Sequence, residues 1–190
     1  GADAVVMIEY TQWARAGEME VLRAAAVGEN VIKVGEDVAQ GEEVISSGTR
    51  LRPAEIGGLM ALGITHLQVA ARPVVGLISS GDEVIQPGEP LGPGQVRDVN
   101  SYSLSALVET AGGKPIRYGI VPDRFEALQA AASRALEECD LVVITAGSSA
   151  SARDLTSQVI QALGEPGVLV HGVHVRPGKP AILAVCNGKP

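Results

Sequence analysis

The 190-residue chain is 46% hydrophobic and 19% charged, enough apolar content to bury one good core and too much for a disordered segment. Its formal net charge of -7, with no Lys/Arg run longer than isolated pairs, excludes the broad basic face that nucleic-acid backbones require. No apolar run approaches the roughly 20 residues that span a bilayer. The opening GADAVVMIEY lacks a signal-peptide pattern, and Cys139 and Cys186 show neither CxxC spacing nor a disulfide framework, so the expected setting is a reducing cytoplasm without a membrane partner.

In chain order, Val5 to Thr11 and Met19 to Ala25 read as two short strands, with Gly17 available to close a hairpin. A Gly-punctuated stretch follows, and Pro53 opens a helix that ends near Gly63. Residues 1 to 72 thus form a smaller β-rich lobe with one helix. From Arg72-Pro73 onward, strands alternate with helices, the pattern of an α/β domain with a mostly parallel sheet and helices on both faces, over residues 73 to 190.

Val74 to Ser79 reads as a buried strand. A helix around Ser101 to Ala111 places Leu104, Leu107, Val108 and Ala111 on one apolar face. Pro115 to Val121 is the next strand, and a helix from Asp123 to about Glu138 carries a stripe of Leu128, Ala131, Ala132, Ala135 and Leu136. Leu141 to Thr145 is a third strand. A small-residue loop from Ala146 to Arg153 leads into a helix, and Val168 to Val175 and Ala181 to Val185 read as strands around a PGKP turn. The chain starts and stops abruptly in strand-like runs, so it reads as an excised piece.

In open α/β sheets the ligand crevice lies beyond the carboxyl ends of the strands. That rule collects Ser79, Ser80, Gly81, Asp82 and Glu83 after the first strand, Asp123 after the second, and Gly147, Ser148, Ser149 and on to Asp154 after the third. The loop TAGSSASARD is small enough for backbone N–H groups to cradle a phosphate at a helix start; packing alone also favours small residues there. Asp123 with Glu126 also fits a capping box, and Asp154 also fits an N-cap. If Glu83, Asp123 and Asp154 converge on an anion, a cation such as Mg²⁺ has to bridge them. Arg176 and Lys179 flank a rigid Pro-Gly pair in VRPGKP, suited to an oxyanion or equally to an exposed turn. The histidines have no zinc spacing.

Taken together, GADAVVMIE, VGEDV, SSGDEV, DVNSYSL, GIVPD, TAGSSASARD and VRPGKP stand in the order and approximate spacing of the molybdopterin molybdenumtransferases, and the chain resembles that family over essentially its whole length. The resemblance implies a molybdopterin-binding domain and a reaction in which molybdate is inserted into adenylylated molybdopterin with metal-dependent release of AMP. It implies active-site roles for Asp37, Glu83, Asp123 and Asp154, with Mg²⁺ at Glu83 and Asp154. Ligand contacts fall to Ser80, Gly81, Asp82, Gly147, Ser148, Ser149, Arg176 and Lys179.

Molybdopterin-AMP and molybdate, or tungstate, are the implied substrates, and the full-length protein is expected to be a homodimer. The loop reads AGSSASARD where the family usually reads GGVSVGxxD, and a GLPGNP motif with a C-terminal domain would follow Pro190. Two other readings share these features. Arg153-Asp154-Leu155-Thr156 resembles the RDxT stretch of molybdopterin adenylyltransferases, and the altered loop is compatible with a non-catalytic molybdopterin- or nucleotide-binding module.

Overall fold

The computed structural model describes residues 1–146, 150–176 and 178–190, and the side chains of these apart from 150–153. Two compact units result, residues Gly1–Gln68 and Val69–Pro190.

In the first unit, β1 (Thr11–Arg15) and β2 (Glu18–Val21) pair antiparallel, after a single 3-10 turn at Ile8–Tyr10. The hairpin closes at Gly17 (φ 80°) as the sequence predicts, but both strands sit closer to the turn than Val5–Thr11 and Met19–Ala25. A two-residue connection fixes the register immediately on either side of itself, which draws the strands inward. Helix α1 (Pro53–Ala61) begins on a proline whose missing N–H costs nothing at that position, and Gly63 follows it at φ 74°. Leu59 is the buried hydrophobic residue of this unit, and Trp13 is 71% exposed on β1.

The second unit runs β3 (Val74–Ser80), β4 (Val84–Ile85), β5 (Val96–Arg97), α2 (Asn100–Thr110), β6 (Lys114–Val121), α3 (Phe125–Glu138), β7 (Leu141–Thr145), α4 (Ala150–Leu163), β8 (Pro166–His171) and β9 (Ile182–Cys186). Its parallel sheet has the order β6-β3-β7. β3 is central and buried along nearly its full length, which is why VVGLISS is a continuous run of apolar and small residues instead of an alternating one. The path from β3 to β6 crosses the sheet one way and the path from β6 to β7 returns. Right-handed crossovers therefore put α2 and α3 on opposite faces.

The core lies on the α3 face. Ile78, Leu128, Ala132, Ala135 and Val159 are sealed from solvent there, with Val121 beside them. Tyr118 also packs on this face although it is three residues from Val121. The register passes from Leu77↔Arg117 to Ile78↔Gly119, so Tyr118 is the extra residue of a bulge, and Gly119 takes φ 86° to accommodate it.

Several predicted boundaries are corrected. On α2 the expected stripe is covered only in part: Leu104 and Val108 are half-buried, Ala111 is exposed, Leu107 is 63% exposed, and the helix's buried residue is Ser101. Among the described residues α2 packs chiefly against β6 and β3, and the outer part of its apolar side is left exposed. Helix α4 starts at Ala150, inside the segment predicted as loop. β8 ends at His171, short of the predicted Val175, and forms its own antiparallel sheet with β9. The β4-β5 pair was not predicted from sequence, because two-residue strands carry no periodic signal.

Candidate functional site at the carboxyl edge of the parallel sheet

Parallel pairing aligns Ser80 with Val121 and Ser79 with Thr145, so all three sheet strands end at one edge. β3 delivers two consecutive serines there, each 2% exposed. Strand alternation sends their hydroxyls to opposite faces, and each is spoken for. Ser79 Oγ donates to Asp98 Oδ2 at 2.9 Å, while Ser80 Oγ donates to Asp123 Oδ1 at 2.5 Å. The Asp123 amide in turn donates to Asp82 Oδ1 at 3.2 Å, and the Gly81 amide donates to the Val121 carbonyl at 3.3 Å. The β3 loop and the β6–α3 loop are thereby joined.

Gly81 (φ 151°) is the pivot. A Cβ placed there would come within 2.7 Å of both Glu83 Oε2 and Val84 Cγ2, so the Glu83 carboxylate folds against a surface that only glycine leaves open. Asp82 is exposed, and Glu83 and Asp123 are half-buried. The result is an acidic edge with three carboxylates on two adjoining loops.

Beneath it, Asp98 is 5% exposed and accepts hydrogen bonds from Ser101 Oγ (2.6 Å) and the Ser101 amide (3.1 Å) as well as from Ser79. Burial pushes its carboxyl upward. The Ser101 and Ser79 hydrogen bonds and the positive charge of Arg117 outweigh that, holding the group below the ordinary carboxylate value. The Arg117 guanidinium itself lies 3.9 Å from the centre of the Tyr102 ring on α2. Sequence reasoning passed over Asp98. The available signal was an Asp three residues before a Ser at a helix start, a pattern that satisfies an unpaired first-turn amide.

The structure thus brings together Ser80, Gly81, Asp82, Glu83 and Asp123. Ser80 enters as a hydrogen-bond donor to Asp123 and not as a free hydroxyl. The capping-box reading of Asp123 is corrected, because α3 begins at Phe125 after Arg124 and the Asp123 carboxylate is turned to Ser80. The N-cap reading of Asp154 is corrected too. It is the fifth residue of α4, exposed, and outside the hydrogen-bonded network of the strand ends.

Arg176 and Lys179 are exposed in the connection between β8 and β9, and neither is a partner of the acidic cluster. Gly147, Ser148 and Ser149 lie outside the described residues. Asp37 belongs to the first unit. There it lines a cavity of about 630 Å³ with Glu36, Lys33, Leu59 and Leu62. Among the described residues no three His, Cys, Asp or Glu side chains gather closely enough to cage a metal ion. No described helix is long and apolar enough to cross a membrane.

A second cavity, of about 530 Å³, runs between β7 and β9 and is walled by residues such as Val143, Ile144, Ile182 and Ala184. Among the described residues its lining carries no Asp or Glu side chain.

Comparison with known proteins accounts for nearly the whole chain. A family model described as "Probable molybdopterin binding domain" matches residues 76–189, and one described as "MoeA N-terminal region (domain I and II)" matches residues 1–63. A molybdopterin molybdenumtransferase of Bacillus subtilis is 34% identical over 98% of this chain and 44% of its own length. One from Nostoc is 35% identical over 97% and 42%. The crystal structure of a molybdopterin biosynthesis MoeA protein from Pyrococcus horikoshii superposes with a TM-score of 0.77 at 38% identity, covering 99% of this chain and 46% of that one. The chain spans about half the length of the curated relatives it matches.

Proposed function

Because the chain belongs to the molybdopterin-binding domain family, we infer that it is the ligand-binding part of an enzyme that inserts molybdate into adenylylated molybdopterin and releases AMP. The observation that carries this reading is the acidic strand-end edge, where Ser80 and Asp82 lock Asp123 beside Gly81 and Glu83. A substrate with a phosphate diester or anhydride brings negative charge to carboxylates, which is workable only with a cation between them.

The donor chemistry of that edge fits Mg²⁺, a hard ion bound through one or two carboxylates together with substrate phosphates, without a cage of three protein ligands. On the family resemblance Glu83 of this edge and Asp154, exposed on the first part of α4, would hold the ion, which would supply charge neutralisation at the phosphate oxygens. The chain's own residues hold the geometry. Ser80 fixes the Asp123 carboxylate, and Gly81 leaves room for the Glu83 carboxylate to fold against the loop. Asp82 orients the Asp123 backbone. Lys179 and Arg176, with Gly147, Ser148 and Ser149, are assigned to the anionic groups of molybdopterin-AMP and molybdate on the family resemblance. Asp37 of the first unit is assigned to the same reaction on the strength of the family resemblance.

The first unit, with Leu59 as its buried hydrophobic residue and Trp13 in solvent, supports self-association of the full-length protein as a homodimer. A monomeric mass by light scattering on a full-length chain would count against that part.

The deciding experiment measures AMP release from adenylylated molybdopterin, with Mg²⁺ and molybdate present, by a full-length parent and its Glu83→Ala and Asp154→Ala variants. Release by the parent and loss of at least about tenfold in each variant is expected. Tight binding by a folded parent without release would overturn the insertase reading in favour of a binding module.

A further inference from the structure

We propose that Asp98 is a positioning residue for the ligand loop, holding residues 79–85 in place from beneath without touching the ligand. The proposal rests on reading that loop as ligand-binding. Asp98 is an ionisable group 5% exposed, an unfavourable location unless its oxygens are fully used. They are used to join two elements. Oδ2 accepts from Ser79 at the end of β3 and from Ser101 Oγ at the start of α2, and Oδ1 accepts from the Ser101 amide.

The backbone of the same segment completes the clamp. The Asp98 amide donates to the Ile85 carbonyl and the Val96 amide donates to the Glu83 carbonyl, both at 2.9 Å. Between these anchors the Val84 amide closes a turn onto the Gly81 carbonyl at 3.1 Å. The loop is therefore fixed before Gly81 by a side chain of the 96–98 segment and after it by that segment's main chain. Two ends held by one short segment leave the Glu83 carboxylate few orientations. A helix start requires only the Ser101 contacts; the bond to Ser79 is the one that serves the loop.

The test uses the 190-residue chain and its Asp98→Ala, Asp98→Asn and Ser79→Ala variants. Hydrogen exchange is read at the amides of residues 81 and 84 against those of Ile78 and Leu128, and binding is read as the Kd for adenylylated molybdopterin. Asp98→Ala is expected to speed exchange at 81 and 84 and to weaken binding, each by about tenfold, with the core amides unchanged. Asp98→Asn, which keeps the shape and one acceptor, should recover most of both. Ser79→Ala should fall between.

Unchanged loop exchange in Asp98→Ala overturns the proposal. So does a uniform loss of protection that Asp98→Asn shares, since that is the signature of general support for the fold. Should Asp98→Ala fail to fold, the Ser79→Ala variant decides by the same local-against-core contrast. If the parent does not bind adenylylated molybdopterin, the functional reading fails, while the exchange contrast still decides whether Asp98 positions the loop.

Discussion

Ser80 donates its buried hydroxyl to Asp123 Oδ1 at 2.5 Å, linking the end of the central strand to the loop that follows the neighbouring one. A neutral donor in a solvent-free position holds an acidic side chain at the edge where the ligand is expected, so the carboxylate's orientation is set before any ligand arrives.

Removal of that donor gives the first prediction. Ser80→Ala removes the side-chain donor to Asp123 Oδ1, and a hydrogen bond to a charged group is worth about 1.5 to 3 kcal/mol. Urea unfolding should show a loss of that order with an unchanged m-value, and affinity for adenylylated molybdopterin should drop in parallel. A variant as stable and as tight-binding as the parent would show that the contact is idle.

Gly76 tests the packing of β3 under α3. A Cβ there would lie 3.1 Å from the Tyr118 ring, 3.2 Å from Cys139 Sγ and 3.3 Å from Ala135 Cβ, all in the core and not at flexible ends. Gly76→Ala is expected to cost about 1 to 3 kcal/mol, the usual penalty of overpacking. Thermal denaturation measures it, and an unshifted or raised midpoint would contradict the packing described.

Asp98 makes stability depend on pH in the acid range. Its folded value lies below the ordinary 3.8, so the ionised form is favoured by folding. The resulting stability is present above the unfolded value and is lost as pH falls through the folded one. The parent should therefore lose its advantage over Asp98→Asn as pH is lowered below about 4. A stability difference that stays constant from pH 7 to pH 2 would sink this assignment.

Tyr118 works in the opposite direction. Burial, then its contacts with Cys139 and Glu138, raise its hydroxyl above the ordinary 10.0. The neutral form is favoured in the folded state, so this contribution is intact below the unfolded value and fades as pH rises through the folded one. Above pH of about 10, the parent should destabilise more steeply than Tyr118→Phe. Equal slopes would place the alkaline sensitivity elsewhere.

The functional reading adds a prediction about metal. Chelation of Mg²⁺ should abolish AMP release by the full-length protein while leaving the far-UV spectrum of the chain unchanged, since the described residues form no structural metal cage. Release that persists in excess chelator would remove the cation from the proposed chemistry.

Much of this molecule was legible in its residues. The run Val74 to Ser79 announced a buried strand, one residue short of its end, Leu128, Ala132 and Ala135 announced the inner side of α3, and Pro53 and Gly63 bracketed α1, because propensity, periodicity and capping act within a few residues. The edge that gathers Ser80 through Glu83 with Asp123 followed from strand–helix alternation. Tertiary structure decided the rest. That Ser80 serves Asp123, 43 residues away, and that Ser79 serves Asp98, depends on which strands become neighbours and in what register. The bulge at Tyr118 reverses the phase of β6, and Leu107 stays exposed although α2 packs on β6 and β3. Such outcomes are set by packing between distant segments. A local pattern fixes which face of an element is apolar, but not what that face will meet.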